Sequence, residues 1–120
     1  MTINGKSWRK PSLVERDVLR RLVATDFVGS EEISQQIEVC SVREIDENGS
    51  LEIAVPPTQP RATVSSRVPA EGEYPDVDGI VIHVLLHIVE GSVNELEVYK
   101  EDSTVVNDRD GIAAMKVFAV

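Results

Sequence analysis

The side chains with the most obvious capacity for chemistry lie in Val81-Ile82-His83-Val84-Leu85-Leu86-His87-Ile88-Val89, where two imidazoles stand four positions apart in an apolar run. On a helix that spacing would stack both rings on one face, as in metal sites of the H-E-x-x-H type. This run is dense in β-branched residues and closes on Glu90-Gly91-Ser92, so it predicts a strand. Four residues of strand span about 13 Å, and zinc bonds are only about 2 Å long. His83 and His87 therefore cannot share one metal, and no catalytic, metal or cofactor-binding residue is assigned. Alternation separates Ile80, Ile82, Val84, Leu86 and Ile88 on a core face from Val81, His83, Leu85, His87 and Val89 on the other. If Leu96 and Val98 of the next strand join the core set, Glu95, Glu97 and Tyr99 fall beside the histidines, and His83 gains a carboxylate neighbour. The resulting surface, Val81, His83, Leu85, His87, Glu95, Glu97 and Tyr99, is half apolar and expected to be an interaction face.

Other motifs carry less. Asp76-Val77-Asp78-Gly79 and Asp108-Arg109-Asp110-Gly111 both read D-x-D-G, yet aligning either glycine with the sixth position of a calcium loop puts Tyr74 or Val106 first and Leu85 or Val117 last. Both are read as turns. The chain has no nucleophile elbow, phosphate loop, dinucleotide fingerprint or C-x-x-C pair. Its single Cys40 is expected to be a buried, inert thiol.

The net charge is −9, which opposes binding to phosphate backbones, so no nucleic-acid partner is expected. Residues 1–21 nevertheless hold six basic side chains against two acidic ones. Trp8, Arg9 and Lys10 could stack on and neutralise a nucleic acid, but Trp8 is expected to pack on the first helix and anchor the arm. No apolar run approaches the roughly 20 residues of a spanning helix, and the first residues lack a secretory pattern, so no membrane partner and a cytoplasmic location are expected.

The positioning elements follow from local signals. Ser12 and Glu15 have capping-box spacing, and Val14, Val18 and Leu22, with Leu19 and Val23, form an apolar helix stripe. Ser30 is read as the cap of a second helix ending near Gln36. Glu47-Asn48-Gly49 predicts a hairpin with a three-residue loop that places Ile45 opposite Leu51. Proline-rich residues 56–79 form a long loop relieved by a short strand around Ala62 to Val68, and Met115 to Val120 supplies an edge strand. Together these predict an α+β fold, two N-terminal helices packed on a mainly antiparallel four- to five-stranded sheet. Residues 1–11 are expected to form a basic arm and residues 12–120 a single domain.

Trp8-Arg9-Lys10-Pro11-Ser12-Leu13-Val14-Glu15, Ile45-Asp46-Glu47-Asn48-Gly49-Ser50-Leu51, and His83-Val84-Leu85-Leu86-His87 followed by Glu95-Leu96-Glu97-Val98-Tyr99 resemble a family of small bacterial proteins of unknown function, over roughly residues 8 to 102. The resemblance implies a bacterial cytosolic single domain and carries no activity or site. The expected function is a non-catalytic protein-interaction module, its partner another protein, of basic character, or a second copy in a homodimer. The alternative is a small-ligand-binding protein or enzyme using His83, His87 and Arg67 with the 56–79 loop around a cleft.

Overall fold

A computed structural model describes residues 7–120; the first six residues of the expected arm, with Lys6, lie outside the described residues. Helix α1 spans Leu13–Val23, and the capping box forms: Ser12 Oγ accepts from the Glu15 N–H at 3.1 Å, and the Glu15 carboxylate accepts from the Ser12 N–H at 2.8 Å. Val18, Leu19, Leu22 and Val23 are buried, whereas Val14 is 52% exposed, so the apolar stripe begins one turn later than expected.

Helix α2 spans Ser30–Val39 and differs from expectation at both ends. Gly29, not Ser30, is the N-cap, at φ +90°. A Cβ there would lie 2.6 Å from the Thr63 carbonyl oxygen, so both backbone conformation and close approach require glycine. The helix runs on to Val39 because Gln36 faces inward with Ile33 and Ile37, all three fully buried or nearly so.

The sheet has six strands, all antiparallel, in the order β1-β2-β5-β4-β3-β6: β1 Ser41–Glu44, β2 Leu51–Ala54, β3 Ala70–Pro75, β4 Val81–Val89, β5 Ser92–Lys100 and β6 Lys116–Ala119. The expected four to five strands undercount it, and the strand expected around Ala62 to Val68 is not one; the strand is β3, immediately beyond. Pro69 and Pro75, read as breakers, bracket β3, where a missing N–H is tolerated at a strand's end. Gly72 at its centre admits the Met115 side chain, whose Sδ would stand 2.6 Å from a Cβ at this position.

The β1–β2 register also differs from expectation. Glu44, not Ile45, is opposite Leu51, and Val42 joins Ile53 in the core. Asp46 Oδ1 accepts from the Asn48 and Ser50 N–H groups and winds the connection into a longer turn, which leaves Ile45 exposed. Between β4 and β5 the turn is two residues, Glu90 and Gly91, both at positive φ, rather than the three expected. A bulge follows: Ile88 pairs with Val93 but His87 pairs with Glu95, leaving Asn94 as the extra residue.

The helices cover one sheet face, sealing Ile33, Ile37, Leu51, Ile82, Val84, Leu86, Leu96 and Val98 in the core. A 3-10 turn, Arg109–Ala114, leads into β6 at the far edge, which is the expected C-terminal edge strand. Arg21 of α1 holds this segment by donating to the Ala113 and Met115 carbonyls. Residues 55–69 are tied down without strand pairing. The Ala62 N–H donates to Gly91 O and the Ile88 N–H to Arg67 O, each at 2.8 Å, while the Gln36 amide reaches Pro60 O at 2.9 Å.

Candidate functional site: the outer sheet face

The alternation from Val81 to Val89 is as read: Ile82, Val84, Leu86 and Ile88 are buried, and Val81, His83, Leu85, His87 and Val89 lie half-buried on the outer face, whereas Ile80, expected in the core set, precedes the strand and is half-buried. Beyond the bulge, β5 places Glu95 opposite His87, Glu97 opposite Leu85 and Tyr99 opposite His83. The seven expected residues therefore share one face. The His83 and Tyr99 rings stack with centroids 5.0 Å apart, and the carboxylate on His83 Nε2 is that of Glu101, at 3.1 Å, just past the strand end.

His87 is held from two sides. Arg67 Nε lies 3.2 Å from Nδ1, and His87 Nε2 lies 2.8 Å from Glu97 Oε1. A guanidinium nitrogen only donates, so Nδ1 must be the accepting nitrogen and Nε2–H donates to Glu97. Glu95 completes the group. Among the described residues its carboxylate takes no hydrogen bond or ion pair, although candidate ligand atoms of His87, Glu95 and Glu97 all lie within 4.8 Å of one another. On the other side of Glu95 lies Glu52 of β2, directly opposite it, and Glu52 is held by Arg43 at 2.9 Å.

Sequence reasoning missed how far this face extends. Trp8 does not pack on α1; the Arg43 guanidinium sits 4.3 Å over its ring. The cause is a two-way backbone pairing of Arg9 with Val42, which lays this segment beside β1. Alternation then turns Arg9 toward the helices, where it meets Glu15 bidentately at 2.7 and 2.9 Å, and Trp8 to the outer face. Arg9 in turn holds the Glu15 carboxyl below the usual range. At the opposite edge, Phe118 and Lys116 of β6 lie across from Glu71 and Glu73 of β3. The signal that could have found Trp8 is its position one residue from an edge-pairing arginine; Phe118 follows from the expected edge strand.

The D-x-D-G turn at Asp76 hides a structural feature. Lys100 Nζ is 1% exposed and lies between Asp76 Oδ2, at 2.9 Å, and Asp78. Asp76 also accepts from the Val77, Asn107 and Asp108 N–H groups. Burial pushes the Asp76 carboxyl up, but the Asn107 N–H, the Lys100 ammonium and the other donors outweigh it and hold the group well below the usual carboxylate range. These bonds staple the β3–β4 turn, the end of β5 and the segment after it.

Clefts lie elsewhere among the described residues. One, about 270 Å³, sits between α1, the β1–β2 turn and the 3-10 turn, lined by Val18, Leu96 and Ile112 with Arg109, Asp110 and Asn48. Another, of about 560 Å³, lies along α1 and α2, and one of about 240 Å³ beside Tyr74 and Lys116. These three are lined by other residues than His83, His87 and Arg67. The loop residue that reaches this face is Arg67, on His87.

Among the described residues no helix is long and apolar enough to cross a membrane. No curated protein and no solved structure matches the chain. A family model described as a domain of unknown function (DUF6984) matches residues 8–109, and the chain belongs to that family.

Proposed function

We propose that the chain is a non-catalytic protein-interaction module, acting in a bacterial cytosol, that binds a basic protein partner through the outer sheet face. The observation that carries this is the composition of the face. Trp8, Tyr99 and Phe118 are 36%, 38% and 40% exposed on it, and rings of this kind anchor interfaces. Around them stand Glu52, Glu71, Glu73, Glu95 and Glu97, answered chiefly by Arg43 and Lys116. A second copy would bring an equally acidic face and a further net charge of −9 against it, whereas a basic surface meets complementary charge.

The test compares the intact chain with Tyr99→Ala and Phe118→Ala variants, and with Val28→Ala away from this face, as bait for soluble proteins of the source organism. Support is recovery of a basic protein whose binding weakens with salt and falls at least tenfold in the two face variants only. Equal recovery by all variants overturns the reading. So does a concentration-dependent dimer in sedimentation that Tyr99→Ala dissolves, since the face would then serve a second copy.

A further inference from the structure

From the geometry around His87 we infer a divalent-cation site on the outer face, formed by His87 Nε2 and the carboxylates of Glu95 and Glu97 and suited to zinc. It is independent of the protein-partner reading. The strand argument that separates His83 from His87 applies along β4; across the ladder the distances are short. Register places Glu95 opposite His87 and Glu97 one side-chain pair further along, and the three ligand atoms already lie within 4.8 Å of one another. Around a tetrahedral zinc, ligand atoms stand about 3.4 Å apart, a closure within reach of side-chain rotation. One imidazole and two carboxylates are ligands of the right class, and they leave a coordination position for water.

Two features point to a cation here. Glu95 and Glu97 approach each other with no cationic side chain between them, and Glu52 adds a third carboxylate opposite Glu95; like charges so placed on a sheet repel. Glu52 has its own counter-ion in Arg43, but Glu95 has none among the described residues. Arg67 is bonded to the imidazole and, among the described contacts, to neither carboxylate of the group.

Arg67 makes the site conditional. With Arg67 on Nδ1, the proton of His87 is on Nε2, the nitrogen that faces Glu97. Ligation through Nε2 requires that proton to leave and Nδ1 to be protonated, a tautomer exchange through water with no net proton change. The new Nδ1–H and the Arg67 Nε–H are both donors, so Arg67 must withdraw. Zinc and the Arg67 contact are therefore mutually exclusive, and loading the site releases the Arg67 side chain while its backbone bond from the Ile88 N–H remains.

Calorimetric titration of the full chain with zinc chloride alone tests this. One zinc per chain is expected, with binding lost in His87→Gln, weakened at least tenfold in Glu97→Gln, and unchanged in His83→Gln, whose ring lies about 13 Å along the strand. Arg67→Gln is the diagnostic variant. It removes a positive charge and a competing bond, and should tighten zinc about tenfold, the worth of a unit charge against a divalent ion at near-contact range even in water-like surroundings. A thermal melt of each variant establishes folding. No saturable binding, binding that survives in folded His87→Gln, or an unchanged or weaker affinity in Arg67→Gln overturns the proposal. Because the probe is zinc alone, these results are separable from any failure to find a protein partner.

Discussion

Replacing Gln36 by leucine should destabilise the fold by about 1–4 kcal/mol, a large effect for a change of polar to apolar residue at a buried site. Gln36 is fully buried on α2, and all three of its hydrogen bonds leave the helix. Its Nε2 donates to Pro60 O and Gly91 O, and its Oε1 accepts from the Val93 N–H, each at 2.9 Å. In Gln36→Leu the Gly91 oxygen keeps the Ala62 N–H at 2.8 Å, but Val93 N–H and Pro60 O lose the partners supplied by Gln36. The buried Val93 N–H costs about 1–3 kcal/mol when orphaned and the part-buried Pro60 O about 1–2 kcal/mol, offset by roughly 1 kcal/mol from burying leucine in place of an amide.

Urea denaturation followed by far-ultraviolet circular dichroism reads this directly. A slope of about 1.5 kcal/mol/M, ordinary for a small protein, converts the loss into a midpoint lower by roughly 1–3 M. Gln36→Glu adds a test of sign. Its carboxylate would face two carbonyl oxygens, so the folded state favours the protonated form and that variant's stability should fall as pH rises through and above the carboxylate range. A Gln36→Leu midpoint within about 0.5 M of wild type would refute the claim that this side chain is what joins α2, the β4–β5 turn and residues 55–69.

Three further outcomes are expected. The depressed Asp76 carboxyl contributes stability present above its unfolded value near 4 and lost as pH falls toward its folded value, so the wild-type urea midpoint should decline below about pH 4 and the decline should be shallower in Asp76→Asn; parallel curves would contradict the staple. Burial pushes the Cys40 thiol up to about 11, so at pH 8 roughly one molecule in a thousand carries the thiolate; an aromatic disulfide reagent should react with native protein at least a hundredfold more slowly than with protein in urea, and equal rates would contradict the burial. Gly72→Ala would place a Cβ 2.6 Å from Met115 Sδ and 2.9 Å from Lys116 O, costing about 1–3 kcal/mol and speeding hydrogen exchange in β6 ahead of β4; uniform exchange would contradict the contact.

What the sequence disclosed depended on whether a signal was local or the product of tertiary contact. Ser12 and Glu15 lie three residues apart and satisfy each other, so the start of α1 is visible in four letters. The two faces of β4 are visible because a nine-residue strand repeats its alternation several times. Ser30 was misleading as a cap because the deciding contact, Gly29 against Thr63 O, comes from a loop thirty-odd positions away. Gln36 looked like the end of a helix for a similar reason: its partners Pro60, Gly91 and Val93 are all remote. β3 was hidden by its own prolines, which in isolation argue against a strand but here stand beside or at its ends. Of the outer face, the residues on β4 and β5 were legible; Trp8, Arg43 and Glu52 were not, since they reach it only through the pairing of Arg9 with Val42 and of β2 with β5.

The bulge at Asn94 decides on which side of the sheet the acidic residues of β5 emerge. At the turn, Val89 pairs with Ser92 and Ile88 with Val93. Continued without interruption, that register would set Leu86 against Glu95 and Val84 against Glu97, driving two carboxylates into the sealed core and exposing Leu96 and Val98, because a one-residue slip exchanges the faces of a strand. The extra residue restores Leu86 to Leu96 and Val84 to Val98, and by the same step brings Glu95 and Glu97 out beside His87. Core packing and outer-face chemistry therefore rest on one insertion. A two-residue Glu90-Gly91 turn fixes the first register, burial of Leu96 and Val98 demands the second, and Asn94 is where the chain absorbs the difference. Its exposed position follows: a residue left out of the ladder has no partner strand to cover it.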